Sequence, residues 1–451
     1  MGGWPQLVEE RTVRAGTAPG TVVRLGLRDE ILSNIPVAIV TFYEHAVPID
    51  DLVQGLAVAL AAVPVYGGRM RTTPEGRLEI VCSDDGVPFV VYTVDETLPE
   101  AVGRAPSPSN GLVDHVDTDA AKTGDAPLLG IRINLLGDGG MAIATAFNHA
   151  VGDMQTYMLL MRAWSAAVDG RPVTQAVVVP DLDAHVGAVV PEHTVGEVSF
   201  RLPDTEERAL LDDTLQQSLR ANRTLQVYFT EAEVAQLRAD LSAEAGRKLS
   251  TNDVLAAHIQ TSLRDLDTDY TGPRPIVMPA NLRPRLGLPD TVTGNVLGEI
   301  SAVLAPEMSA AGFAAQIRAR LEDPDYTPVS FRADHARIAE LGDDHIMDVV
   351  PFAFDPARRA FSFSNWTRFG YDTLTFGGHP LVLMSPSVPV TLPWTSWMVE
   401  GFHGTGLLLT LVVPVRFATR LRGETGRARL HRHRPADDVA PELISRAGRI
   451  I

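Results

Sequence analysis

Apolar residues recur along the chain in two rhythms. Leu52, Leu56, Ala59, Leu60 and Val63 fall on one face at helical spacing. Asp50 and Asp51 stand just ahead, so residues 52–63 predict a helix behind an aspartate N-cap. Pro64 and Gly67-Gly68 stop it. Two β-type runs, 76–82 and 87–94, flank Asp84-Asp85-Gly86 and predict a hairpin. Runs 128–136 and 141–147, joined by Gly137-Asp138-Gly139-Gly140, predict a second one. Its outgoing strand ends at Asn148-His149, and Asp153 then opens an apolar helical stretch over 154–164.

From Asp169-Gly170-Arg171-Pro172 to about Pro191 there is no clear helical period, which reads as a connection between domains. The second half restarts with a β run at 224–230 and a helical pattern at 231–241. Ser250-Thr251-Asn252-Asp253 caps a helix over 254–263. Runs 381–384 and 406–413 read as buried strands. Each half mixes strands and helices, so the fold class is α/β. The expected division is a first domain at 1–190, a crossover at 191–220 and a second domain at 221–451.

Composition narrows the function. The chain has 451 residues, 45% hydrophobic and 21% charged, with a net charge of −17. The acidic balance argues against nucleic acid as a partner, because phosphate binding needs a basic surface. The one basic stretch, 420–434, lacks interleaved aromatics and reads as a solvated tail with at most a weak anion-binding role. No apolar run reaches the roughly 18–20 residues of a membrane-spanning helix. The first residues lack a signal-peptide pattern, and Gly2 lacks the context for myristoylation. A single cysteine, Cys82, excludes an internal disulfide and a cysteine-based zinc site, and reads as a buried structural thiol in a reducing, cytoplasmic setting. No metal site is expected.

The candidate chemistry sits at His149. An imidazole at the end of a buried strand suits a proton acceptor near neutral pH. The spacing alone is unspecific, since His115 and Asp119 repeat it in a polar stretch, 107–125, that reads as an exposed loop. The plainer alternative is a histidine hydrogen-bonded at a helix start, with Asp153 as N-cap.

Several landmarks then occur in one order across nearly the whole chain. They are Gly67-Gly68-Arg69, the 82–89 turn, Phe147-Asn148-His149-Ala150-Val151-Gly152-Asp153, and Ser250-Thr251-Asn252-Asp253. Asn281-Leu282-Arg283-Pro284-Arg285 with Thr293-Gly294-Asn295, Ser364-Asn365-Trp366-Thr367 and Phe376-Gly377-Gly378-His379-Pro380 follow. Together they resemble the BAHD acyltransferases, acyl-CoA-dependent enzymes of specialised metabolism. The resemblance implies two chloramphenicol-acetyltransferase-like domains, mixed sheets flanked by helices, with an active-site channel at their interface. It implies a monomer that takes acyl-CoA as co-substrate and a small-molecule hydroxyl or amine as acceptor, with no tightly bound cofactor.

His149 would then deprotonate the acceptor as it attacks the thioester. The oxyanion would meet donors from Ser364, Asn365 and Trp366 and from the Phe376-Gly377-Gly378 turn. Asp153 invites a dyad reading, but the family implies a salt bridge to Arg283 that shapes the His149 loop. Lys248, Ser250 and Thr251, beside Arg247, offer a helix start for the phosphates of CoA. A plain N-cap with solvated Arg247 and Lys248 explains those residues equally well. Two departures stand out. Met154 replaces the family's usual glycine and would reshape the channel beside His149. Thr375 in place of Asp, a missing Trp and His379 in place of Lys break the pattern Asp-Phe-Gly-Trp-Gly-Lys-Pro, which puts the oxyanion role of the Phe376-Gly377-Gly378 turn in doubt, and His379 reads as a turn histidine. The alternatives are a carrier-protein-dependent condensation-type enzyme and a catalytically silent member that binds a small molecule or partner.

Overall fold

The computed structural model describes residues 5–192, 197–324, 326–438 and 450–451. The expectations at residues 1–4 lie outside them. Two six-stranded sheets organise the chain. The first runs Gln6–Val13, Val87–Val94, Leu129–Leu136, Met141–Asn148, Pro36–Tyr43, Leu383–Ser387. The second runs Asn222–Phe229, Leu407–Pro414, Thr395–Glu400, Phe361–Asn365, Arg274–Asn281, Leu297–Leu304. Both mix parallel and antiparallel pairs.

The His149 strand lies inside the first sheet and all eight of its residues are buried. It carries no charge, so burial on both faces costs little. Thr145 satisfies its hydroxyl on Ile39 O and Tyr157 Oη. The helices Ile49–Ala62 and Met154–Val168 pack against each other. Gly55 permits that approach, since a Cβ there would stand 2.4 Å from Val168 Cγ2. Trp164 Nε1 donates to Leu52 O at 2.8 Å and ties the two helices together.

The last strand of the first sheet comes from the far half of the chain. Leu383 pairs with Phe42 and Ser387 with Ala38. Its Pro386 is tolerated because this is an edge strand. The first core also takes in Tyr228, Val399, Phe402 and Leu408. A separate cluster joins Val179, Leu182 and Val186 to Leu282, Val292 and Val296. Each half therefore completes the other.

The hairpin at 128–147, the strand and helix after residue 222, and the Ser250 cap form as the patterns predict. Four local expectations are corrected. Pro48, not an aspartate, is the N-cap of Ile49–Ala62, and Asp50 and Asp51 occupy its first turn, where the helix dipole favours them. The runs around Asp84-Asp85-Gly86 do not form a hairpin. Leu78–Val81 pairs with Val22–Arg24 and Arg69–Thr72 in a three-stranded sheet, while Val87–Val94 joins the large one. Asp84 takes φ +57°, and its carboxylate accepts Ala15 and Gly16 N–H at 2.8 Å, so the turn switches sheets instead of reversing the chain. The polar stretch 107–125 contains the helix Thr118–Lys122, and its Asn110 is buried against Ala105 O, Ser107 O and Ser387 Oγ. The basic stretch 420–434 is not a tail: it forms the ends of Val415–Arg422 and all of Glu424–Leu430. Cys82 is buried, and burial pushes its thiol up to about 11. No helix among the described residues is long and apolar enough to cross a membrane.

Candidate active site

His149 opens a single helical turn, His149–Val151, between its strand and the Met154–Val168 helix. The sequence builds this bend in steps. Asn148 caps the turn by accepting Ala150 N–H at 2.9 Å. Gly152 follows, where a Cβ would stand 2.5 Å from Thr156 Cβ. Asp153 then caps the helix through Thr156 N–H at 3.0 Å.

Both halves hold the turn in place. From the first half, Ile35 O accepts His149 N–H at 3.1 Å and Ser33 O accepts Asn148 Nδ2 at 3.0 Å. From the second half, Asn295 Nδ2 donates to His149 O at 2.8 Å and to Asp29 Oδ1 at 2.7 Å. Asp29 also accepts Asn295 N–H at 2.8 Å and Gly26 N–H at 2.9 Å. Burial pushes the Asp29 carboxyl up to about 7 against those donors.

Asp153 and Arg283 are joined at 2.7 Å, both almost wholly buried. Neither oxygen of Asp153 hydrogen-bonds to His149. One takes Thr156 N–H and Oγ1, and the other takes Arg283 and Val296 N–H. Arg283 spends its other donors on Val292 O and Gly294 O at 2.9 Å. The pair therefore staples the end of the His149 loop to the second half.

His149 is half-buried, and its Nδ1 is sealed from solvent without a hydrogen-bond partner. Burial pushes the imidazole below the usual histidine range, while its own carbonyl, Asp153 and the Asn295 side chain pull it back up. The neutral form is favoured, which is what a proton acceptor requires. Met154 sits half-buried at the first helical position and packs on the first core.

The remaining candidates divide. Ser364 and Asn365 end the strand Phe361–Asn365, and Trp366 follows with its ring 6.5 Å from that of Trp397. Asn365 Nδ2 donates to Asn252 Oδ1 at 2.9 Å, which joins this strand end to the helix Thr251–Leu266. The Ser364–Trp366 segment and the Ser250–Thr251 helix start are thus one neighbourhood. Ser250 serves as N-cap by accepting Asp253 N–H, Lys248 is exposed, and Arg247 is paired with Glu322. A metal cluster of three or more His, Cys, Asp or Glu is absent among the described residues.

The Phe376-Gly377-Gly378 turn is a correction. Phe376 is buried against Trp164 and Tyr43, and Gly378 N–H donates to Asp169. Trp164 and Asp169 lie 10 and 15 residues along the helix from Met154, roughly 15–22 Å away at its rise per residue. The turn locks the far end of that helix and supplies no oxyanion donor at His149. His379 lies with it, its ring 4.8 Å from that of His45.

Asp29 is the site residue that sequence reasoning missed, and Asn295 was only a landmark. Asp29 stands at the third position of the short helix Leu27–Leu32, where an acidic residue reads as an ordinary cap.

Comparison with known proteins fits this geometry. A family model described as "Transferase family" matches residues 19–328. The chain belongs to this family, the BAHD acyltransferases. It is an acyltransferase. It is 28% identical over 359 residues to tryptamine hydroxycinnamoyltransferase 2 of Oryza sativa subsp. japonica, covering 76% of this chain and 78% of that one. It is 26% identical to agmatine coumaroyltransferase-1 of Hordeum vulgare, covering 83% and 87%. In structure it resembles F. sporotrichioides TRI101 "complexed with Coenzyme A and T-2", with a TM-score of 0.72, 16% identity and coverage of 90% and 98%. The fold is the two-domain, chloramphenicol-acetyltransferase-like one of this BAHD family.

Proposed function

We propose that the protein transfers an acyl group from acyl-CoA to an amine or hydroxyl of a small specialised metabolite, with His149 as general base. The observation that carries this is the state of His149. Its imidazole is biased to the neutral form by burial, and its turn is fixed by hydrogen bonds from both halves. The coenzyme A complexed with TRI101 and the acyl groups named in the plant relatives support the donor class. Tryptamine and agmatine in those names favour an amine acceptor.

The acceptor nitrogen or oxygen attacks the thioester carbonyl while His149 takes its proton. The resulting tetrahedral oxyanion is met by donors of the Ser364–Trp366 segment. Collapse breaks the carbon–sulfur bond and expels the CoA thiolate, which receives the proton back from His149. No acyl-enzyme is formed. The phosphates of CoA are read by Lys248, Ser250 and Thr251, near the Asn365–Asn252 contact. Met154 narrows the channel beside the base. The reading takes residues 1–190 and 221–451 as two domains, 191–220 as their crossover, and the enzyme as a cytoplasmic monomer.

The test is thiol release from a panel of acyl-CoAs offered with mixed amines and alcohols. Acceptor-dependent release with formation of the acylated product is the expected result. Tight binding of acceptor or CoA without any turnover would favour a silent binding protein instead.

A further inference from the structure

The basic stretch near the C-terminal end is not used by the reaction above, and its arginines behave unequally. Arg416 and Arg420 reach Asp269, Arg429 pairs with Asp265, Arg434 with Glu233, and Arg432 bonds to His433. Arg422 and Arg427, in the same two helices, find no partner among the described residues. Carboxylates are not scarce, since the chain has 56 acidic residues against 39 basic ones. Both arginines line one cleft of about 670 Å³ between the two halves. Arg223 lines it too, and its side chain bonds only to the carbonyls of Leu219, Arg220 and Asn222. Residues 106–109 of the first half line it as well.

A second observation points the same way. Gln226 and Thr391 line this cleft and are each 2% exposed, yet Gln226 Oε1 and Thr391 Oγ1 have no hydrogen-bond partner. Thr224 Oγ1, also in the lining, is buried and unpartnered as well. The amide of Gln226 is held in place through Nε2, which donates to Thr410 Oγ1 at 3.3 Å and Ser385 Oγ at 3.5 Å. Unmet buried polar atoms cost free energy unless something satisfies them. Three guanidinium groups above such a floor match an anion that also carries hydrogen-bonding groups.

We propose that this cleft is a second ligand site, which binds a phosphate-bearing small molecule. Arg223, Arg422 and Arg427 meet its anionic oxygens, and Thr224, Gln226 and Thr391 meet its polar body. The site is independent of the reaction proposed above, because binding is read without turnover.

The test titrates the full chain calorimetrically with pyrophosphate and with adenosine 3′,5′-bisphosphate, for wild type, Arg422→Ala/Arg427→Ala and Lys248→Ala. Both arginines are exposed, so the double variant is expected to fold, which its melting curve checks. Saturable binding of at least one probe, weakened at least about tenfold in the double variant and kept in Lys248→Ala, is the expected result. Binding of the nucleotide alone, with a raised KM for acyl-CoA in the double variant, would make the cleft part of the donor site and overturn the proposal of a second one. Binding of both probes with that KM unchanged identifies a separate phosphorylated ligand. Absence of saturable binding, or binding that survives the double variant, overturns the site.

Discussion

At the scale of single residues, the account rests on a histidine kept neutral and a carboxylate kept away from it. The ordinary histidine pKa is 6.5, and burial lowers that of His149. More than half of the folded protein therefore carries neutral His149 at pH 6.5. The acidic limb of kcat/KM is expected below pH 6.5, and a limb above it would contradict the assignment. Asp153→Asn leaves Arg283 buried and short of its charge partner, at a cost of about 3–5 kcal/mol. A lowered melting temperature is expected, with the acidic limb moved to lower pH, because the Asp153 charge no longer pulls the His149 imidazole up. A dyad would instead collapse kcat in variant that is still folded. His149 was legible because a polar residue at the end of an apolar run needs a reason, and the pairing of Asp153 with Arg283 because the resemblance to the family implied it. Asp29 was not, because an acid at the third position of a helix already has one. Its role appears only when Asn295, 266 residues later, folds onto it.

At the scale of elements, the His149 turn depends on close approach. Gly152→Ala would press a methyl onto Thr156, shift the Asp153 cap and cost about 1–3 kcal/mol. An order of magnitude in kcat is expected to go with it, since small displacements of a reacting group are costly. The Phe376 turn behaves oppositely. Phe376→Leu should lower the melting temperature through lost packing on Trp164 and Tyr43 while kcat/KM stays within about twofold. A large fall in kcat/KM at unchanged stability would return that turn to the active site. Elements were largely readable from period and caps, but strand partners were not. Residues 76–94 show this, because an Asp-Gly turn between two β runs looks the same whether the chain reverses or changes sheets. The 420–434 stretch shows a second limit. Its charges hid an amphipathic helix whose Phe417, Ala418 and Leu421 are buried.

At the scale of the molecule, the two halves are interlocked. The strand Leu383–Ser387 closes the first sheet, and Arg28 of the first half reaches Glu299 at 2.9 Å and Asp334 at 2.8 Å. Residues 1–220 made alone would leave the edge of Pro36–Tyr43 open, a template for aggregation. They are expected to be insoluble alone and to be rescued by co-expression with 221–451, as read by gel filtration. A soluble, folded 1–220 fragment would show that the exchanged strand is dispensable. The same interlock fixes the His149 loop, which is pinned by Ile35 on one side and by Asn295, Gly294 and Arg283 on the other.

The most direct measurement compares wild type with His149→Ala, using the acyl-CoA and amine pair that the wild type turns over best. Acylated product is followed by mass spectrometry beside thiol release, and melting curves confirm that the variant folds. The account predicts that product formation falls by at least about a hundredfold, with the KM for acyl-CoA little changed. Product formed by His149→Ala at the wild-type rate would contradict it.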